Sequence, residues 1–139
     1  MDSKEQRYFD FFERDRFAKG IGIKLLEARP GYAKAEMTVA DRHLNGADVL
    51  HGGAIFTLAD FCFAVASNTH GQVALSINAS INFIKAVSSG RIYAVAKELS
   101  LSHKLGTYMI EVFDGSDALV ASMQGTVYRK RDLIKEFAD

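Results

Sequence analysis

Polar and apolar positions change rhythm several times along the chain, and each change marks an element. Residues 3–18 set Tyr8, Phe9, Phe11, Phe12 and Phe17 on one broad side of a charged background, predicting an amphipathic helix that needs a surface to pack on. Residues 21–29 and 32–40 read as strands about the Pro30-Gly31 turn; in the second, Ala33, Ala35, Met37 and Val39 alternate with Lys34, Glu36 and Thr38. Residues 41–53 are a polar loop rich in Asn, Asp, His and Gly. Residues 54–68, AIFTLADFCFAVASN, lose the alternation and are apolar nearly all round, with Gly52-Gly53 before them and Asn68 to Gly71 after. A helix apolar on every side is one surrounded by protein. Strands are predicted at 72–84, 91–101, 106–113 and 118–129, separated by Ser88-Ser89-Gly90, Leu105-Gly106 and Asp114 to Asp117. In the first of these, Val73, Leu75, Ile77, Ala79, Ile81 and Phe83 face one way and Ser76, Asn78, Ser80 and Asn82 the other.

The order of elements is helix, two strands, buried helix, four strands. Short turns between the last four strands predict an antiparallel meander. One long curved antiparallel sheet wrapped around the central helix is the simplest way to bury that helix, so the expected class is α+β. With 139 residues and 48% hydrophobic content, the chain reads as one domain able to build its own core, residues 1–20 adding an N-terminal helix.

Charge and cysteine content then narrow the function. Lys+Arg and Asp+Glu both number 17, and the only basic run is Tyr128 to Arg131, so nucleic acid is not an expected partner. The single Cys62 excludes an intrachain disulfide and fits a reducing compartment. The first residues are charged and lack the apolar stretch of a signal peptide. The uncharged run from Phe61 to Ile84 is interrupted by polar residues and cannot span a membrane. The expected location is the cytoplasm.

Asp60 is the one charge between Val49 and Ile84, set mid-helix with Phe56, Thr57, Phe63 and Ala64 around it. Such a carboxylate either bonds to a backbone amide or to an arginine across an interface, or it works: an apolar wall raises its pKa and suits it to act as base or nucleophile. At the start of the same helix stands His51-Gly52-Gly53. Free N–H groups and the positive end of the helix dipole meet there, and glycines let a ligand oxygen come close. The stretch is either an oxyanion site or simply a flexible helix entry. Gly52 and Asp60 are eight residues apart, which on one helix is about 12 Å, while both would have to approach one carbonyl within roughly 3 Å. If both serve one reaction, they come from two copies of the chain.

Other chemistry finds little support. Asp41, His43, Asp48 and His51 lack metal-ligand spacing, and no metal site is expected. There is no nucleophile elbow and no phosphate loop, and Cys62, His70 and His103 are assigned no role.

The segment HLNGADVLHGGAIFTLADFCFAVASN (43–68) resembles the hot-dog-fold thioesterases, in particular the branch of phenylacetyl-CoA thioesterases. That branch has an Asn, His-Gly-Gly six residues later and an Asp nine residues beyond the His; here these are Asn45, His51-Gly52-Gly53 and Asp60. Residues 76–90 and 106–130 are also similar to the family's strands. One departure is the missing proline after the strand, where the chain reads Phe83-Ile84-Lys85-Ala86.

The resemblance implies a hot-dog fold and hydrolysis of an acyl-CoA or aryl-CoA thioester, with CoA as part of the substrate and no separate cofactor. It implies that the Gly52 amide and Asn45 polarise the carbonyl, that His51 supports the loop near the sulfur, and that Asp60 of the opposing subunit activates water or attacks. Ser76 would orient the water, and Gly53, Phe56, Thr57 and Phe63 would touch substrate. The implied assembly is a homodimer with composite sites, paired again into a tetramer. Lys85, Lys104, Arg129 and Lys130 are candidates for the CoA phosphates. Two other readings are a non-catalytic acyl-CoA binder, which has no use for a buried acid, and a dehydratase, which would carry a proline-rich loop.

Overall fold

The structure is a computed structural model that describes residues 1–138. The N-terminal segment forms two helices, not one over 3–18: α1 (Ser3–Phe12) and α2 (Arg16–Gly20). Asp15 makes the break. Its carboxylate accepts the Ala18 N–H at 3.0 Å and caps the second helix, a local bond that competes with helix continuation. Tyr8, Phe9 and Phe12 are buried as expected, but the break swings Phe17 away and leaves it 70% exposed. α1 is covered by residues 24–29 and by the C-terminal turn. Phe137, in a 3-10 turn at Lys135–Phe137, packs edge-on against Tyr8 with ring centroids 4.9 Å apart and lies 5.2 Å from Phe11.

The six strands are β1 (Lys24–Arg29), β2 (Tyr32–Thr38), β3 (Gln72–Phe83), β4 (Arg91–Leu101), β5 (Leu105–Asp114) and β6 (Leu119–Leu133), and the long helix α3 (Gly52–Asn68) comes between β2 and β3. All pairings are antiparallel, in the order β1-β2-β4-β5-β6-β3. The expected four-strand meander therefore holds only for β4, β5 and β6. β3 pairs with β6 at the far edge, because the chain leaving α3 enters the sheet at that side and returns to β4 over the 84–90 loop.

The curved sheet wraps α3, and small strand residues let the helix come close. Ala33, Ala35, Ala94 and Ala96 are fully buried beneath it, with Leu58, Ala59, Cys62 and Val65 facing them. The Cys62 thiol donates to the carbonyls of Ala33 and Ala94 at 3.2 and 3.5 Å, and burial pushes its pKa up to about 12, as befits a packing residue. Further along, Phe63 lies flat over Gly125 of β6: a Cβ there would stand 2.6 Å from two ring carbons. Phe63 is 1% exposed and rests on Tyr108, so the ring has little room to give. Gly125→Ala should cost about 1–3 kcal/mol in a denaturant melt, part of it returned by Phe63→Leu in the same chain. Unchanged stability would refute this tight packing.

β3 does not keep the simple alternation its sequence displays. Its register with β6 slips between Ser76 and Asn78, so Ile77 is an extra residue in the strand. Ser76 lies opposite the buried Val127, whereas Ala79 lies opposite Gly125 and Ile81 opposite the buried Met123. Ala74, Ser76, Ala79, Ile81 and Phe83 thus share the helix side, and Leu75 joins Asn78, Ser80 and Asn82 on the outer side. The predicted grouping of Leu75 with Ala79, and of Ser76 with Asn78, is corrected by this one-residue slip. Among the described residues no strand pairs with the free side of β3, and Leu75, Ile77 and Phe83 are 53%, 59% and 54% exposed.

Candidate active site

The 41–53 loop folds back on itself. Leu44 bridges Leu50, the Asn45 N–H donates to the Val49 carbonyl at 2.8 Å, and the His51 N–H donates to the His43 carbonyl at 2.8 Å. Asp48 takes a left-handed conformation (φ 60°), which aspartate tolerates better than most residues. The Asn45 Oδ1 accepts the N–H groups of Ala47 and Val49 at 2.9 and 3.3 Å, which leaves its Nδ2 free to donate elsewhere. His43 is buried, its Nδ1 accepting the Ala40 N–H and its Nε2 donating to the Ile21 carbonyl at 2.6 Å. Both nitrogens are thus engaged, which removes it from metal chemistry. Among the described residues no three His, Cys, Asp or Glu side chains gather as a metal site.

His51 caps α3. Its Nδ1 accepts the Gly53 N–H at 2.8 Å, so the proton of the neutral ring sits on Nε2 and points outward as a donor. The Ala54 N–H bonds the His51 carbonyl, and the Gly52 N–H alone in this turn has no partner among the described residues. The edge of the Phe83 ring lies over Gly52, where a Cβ would meet it at 3.3 Å. The sequence reading had no signal for that contact. Gly52 opens, with Leu50, Ile55, Phe83 and Ile84, into a cavity of about 240 Å³. Gly53 and Thr57 face a second one of about 180 Å³ with Phe17, Leu44 and His51. The Thr57 hydroxyl donates to the Gly53 carbonyl at 2.7 Å.

α3 is not enclosed all round as its composition predicts. Gly53, Phe56, Thr57, Asp60, Ala64 and Asn68 form a stripe that other elements leave partly open. Asp60, on that stripe, makes no hydrogen bond or ion pair within the described chain, so the reading in which it bonds to an intrachain amide does not hold. Burial raises its pKa, and the carboxylate of Asp15 raises it further. Asp60 lines a cavity of about 230 Å³ with Phe63, Ala64, Ser67, Ala74, Leu75, Ser76 and Val127. Ser76 is there because of the slip at Ile77. Phe63, although buried, borders the same cavity, and Phe56 is half-buried against the core.

Two clusters lie apart along α3: His51 and Gly52 at its start, on separate cavities, and Asp60 with Ser76 two turns on; Asn45, in the loop before the helix, lines none of these cavities. One chain does not bring them together, since Gly52 and Asp60 open into different cavities. Of the candidate phosphate ligands, Lys85 is paired with Asp114, while the Arg129 guanidinium donates to the Ser102 carbonyl and to Gln72 Oε1. Among the described residues no helix is long and apolar enough to cross a membrane.

Residues 47–121, which carry Gly52, Asp60 and Ser76, match the family model of the Thioesterase superfamily. The chain belongs to this superfamily. A relative in Archaeoglobus fulgidus that bears the name "Putative esterase" is 46% identical over 119 residues, covering 85% of this chain and 77% of its own. The acyl-coenzyme A thioesterase PaaI of Escherichia coli is 34% identical over 119 residues, covering 85% of each chain. The solved structure of the E. coli PaaI protein superposes with a TM-score of 0.88 at 30% identity, over 96% of this chain and 100% of that one. The thioesterase is a thioester hydrolase of the PaaI type, and its sheet and central helix form the expected hot-dog fold.

Proposed function

We propose that this thioesterase hydrolyses acyl-CoA or aryl-CoA thioesters at sites shared between two protomers. The observation that carries the reading is the separation of its two halves on α3, with an unpartnered Gly52 N–H at one end and an unpaired Asp60 in the middle. The open β3 edge, with Leu75, Ile77 and Phe83 exposed, supports a second copy as the element that unites them.

The thioester carbonyl oxygen accepts from the Gly52 N–H and the Asn45 Nδ2, both aimed at negative charge that grows as the carbonyl becomes tetrahedral. Asp60 of the opposing protomer takes a proton from water, which Ser76 orients, as the water oxygen bonds to the carbonyl carbon. Collapse expels the CoA thiolate; the proton returns to sulfur, and free acid and CoA leave. Attack by Asp60 itself would give an acyl anhydride that water then opens, with the same products. His51, with its Nε2–H outward, stands at the entrance as a donor toward the sulfur. Phe56, Thr57, Phe63 and Gly53 border the acyl group. The reaction needs no cofactor beyond the CoA of the substrate. The same reading makes the assembly a dimer of dimers and its location cytoplasmic.

Thiol release from a panel of acyl-CoA esters, acetyl to palmitoyl, and of aryl-CoA esters tests the reading, together with sedimentation. Turnover by a dimer or larger assembly is expected. A fully active monomer would overturn the shared site, and absence of turnover across the panel would overturn the substrate class.

A further inference from the structure

Asn68, the last residue of α3, belongs to neither cluster, yet it ties together the wall of the Asp60–Ser76 cavity. Its Nδ2 donates to the carbonyls of Ala64 and Ala74 at 2.8 and 3.2 Å, and its Oδ1 accepts the Ala74 N–H at 2.9 Å. Ala64 and Ala74 both line the cavity. Ala64 is one turn beyond Asp60 on the helix, and Ala74 is two residues before Ser76 on the strand. The amide therefore spans from the element carrying the carboxylate to the element carrying the hydroxyl.

The strand needs such a tie at this point. The register of β3 with β6 is irregular between Gln72 and Ala74 and again between Ser76 and Asn78. Residues 74–76 are thus a short paired stretch bounded by a slip on each side. The N–H and C=O of one residue point to the same side of a strand, so Asn68 pairs with Ala74 as a neighbouring strand would. It does so on the free edge, where no strand among the described residues pairs with β3. Two N–H donors and one carbonyl oxygen of a single amide are all used in good geometry.

We propose that Asn68 is a positioning residue of the hydrolase, setting the separation between Asp60 and Ser76 and with it the seat of the attacking water. The inference rests on the proposed function. Misplacement of a reacting group by about an ångström can cost about a hundredfold in rate, so the effect belongs in kcat rather than in binding of the thioester.

The test is a double-mutant cycle in the full-length assembly. Asn68→Ala is expected to lower kcat about ten- to a hundredfold with little change in KM. In a Ser76→Ala background, which has already lost the positioned hydroxyl, the same substitution should lower kcat less than about twofold. Melting temperature should fall by the same amount in both backgrounds, which separates positioning from support of the fold. Equal losses of kcat in the two backgrounds would overturn the proposal, as would a Ser76→Ala enzyme as fast as wild type. If Asn68→Ala does not fold, Asn68→Asp serves, since it keeps the acceptor for the Ala74 N–H and loses both donors. Failure of the wild type to hydrolyse any thioester would instead count against the proposed function.

Discussion

Asp60→Asn is expected to slow thioester hydrolysis by about a hundred- to ten-thousandfold and, at neutral pH, to raise the melting temperature. The activity loss follows from chemistry, because an amide can neither accept the proton of water nor attack a carbonyl. The gain in stability follows from the surroundings. Asp60 is partly buried and has no ion-pair or hydrogen-bond partner in the described chain, so the substitution keeps the shape and strands no opposite charge. Burial, and then the Asp15 carboxylate, raise its pKa above the ordinary 3.8. The folded protein therefore binds the Asp60 proton more tightly than the unfolded chain does. Its contribution to stability is full below the ordinary carboxylate range and is lost as pH rises through the raised value. The advantage of Asp60→Asn should thus be largest at neutral pH and shrink on acidification. Melts at the two ends of that range check it, and a lower melting temperature for the variant at neutral pH would contradict the environment described. The acid limb of kcat/KM for the wild type should likewise lie above 3.8, because the working form of Asp60 is ionised.

Gly52→Pro is expected to cost about a hundred- to a thousandfold in kcat while leaving the fold intact. Proline removes one N–H, and here that N–H is the unpartnered one aimed outward from the first turn of α3. Gly52 is the first helical residue after the His51 cap, the position where proline suits a helix. His51 at φ −62°, ψ 135° already has the extended backbone that a following proline demands. Gly52→Ala is the matched control. It keeps the N–H and only presses a methyl against the far end of the Phe83 side chain, which is 54% exposed. If alanine and proline slowed the enzyme equally, the amide would not be the oxyanion donor.

The two variants together interrogate the shared site. In a mixed dimer of Asp60→Asn and Gly52→Pro, one site receives both defects and the other receives neither. Random mixing of two inactive proteins should then restore about a quarter of wild-type activity, since half the dimers are mixed and each holds one intact site of two. Sites contained within single chains would restore nothing.

The chemistry was legible in residue order to the extent that it is local. Gly52 at the helix start and Asp60 as a lone acid in an apolar helix depend on neighbours three or four positions away, whereas the capping bond of His51 came only with the structure. The eight-residue spacing of Gly52 and Asp60 also survived in the folded chain, because helix rise is a local constant. The break at Asp15 shows the limit of such reading: a side chain that caps and one that continues a helix look alike in an amphipathic pattern. Phe17 was misplaced for that reason.

By itself, the sequence determined the element types and the enclosure of most of α3, since these follow from side-chain period and composition, and it named candidates for the chemistry. Tertiary structure alone decided that β3 lies against β6 rather than β4, that Phe83 covers Gly52 and that Asn68 binds Ala74, all contacts between distant segments. It also decided which face Ser76 presents. Strand alternation has a period of two, so one extra residue at Ile77 inverts every assignment on one side of it. That inversion turns Ser76 from the polar outer face toward Asp60, and it arises from pairing with β6, which the order of residues in β3 does not record.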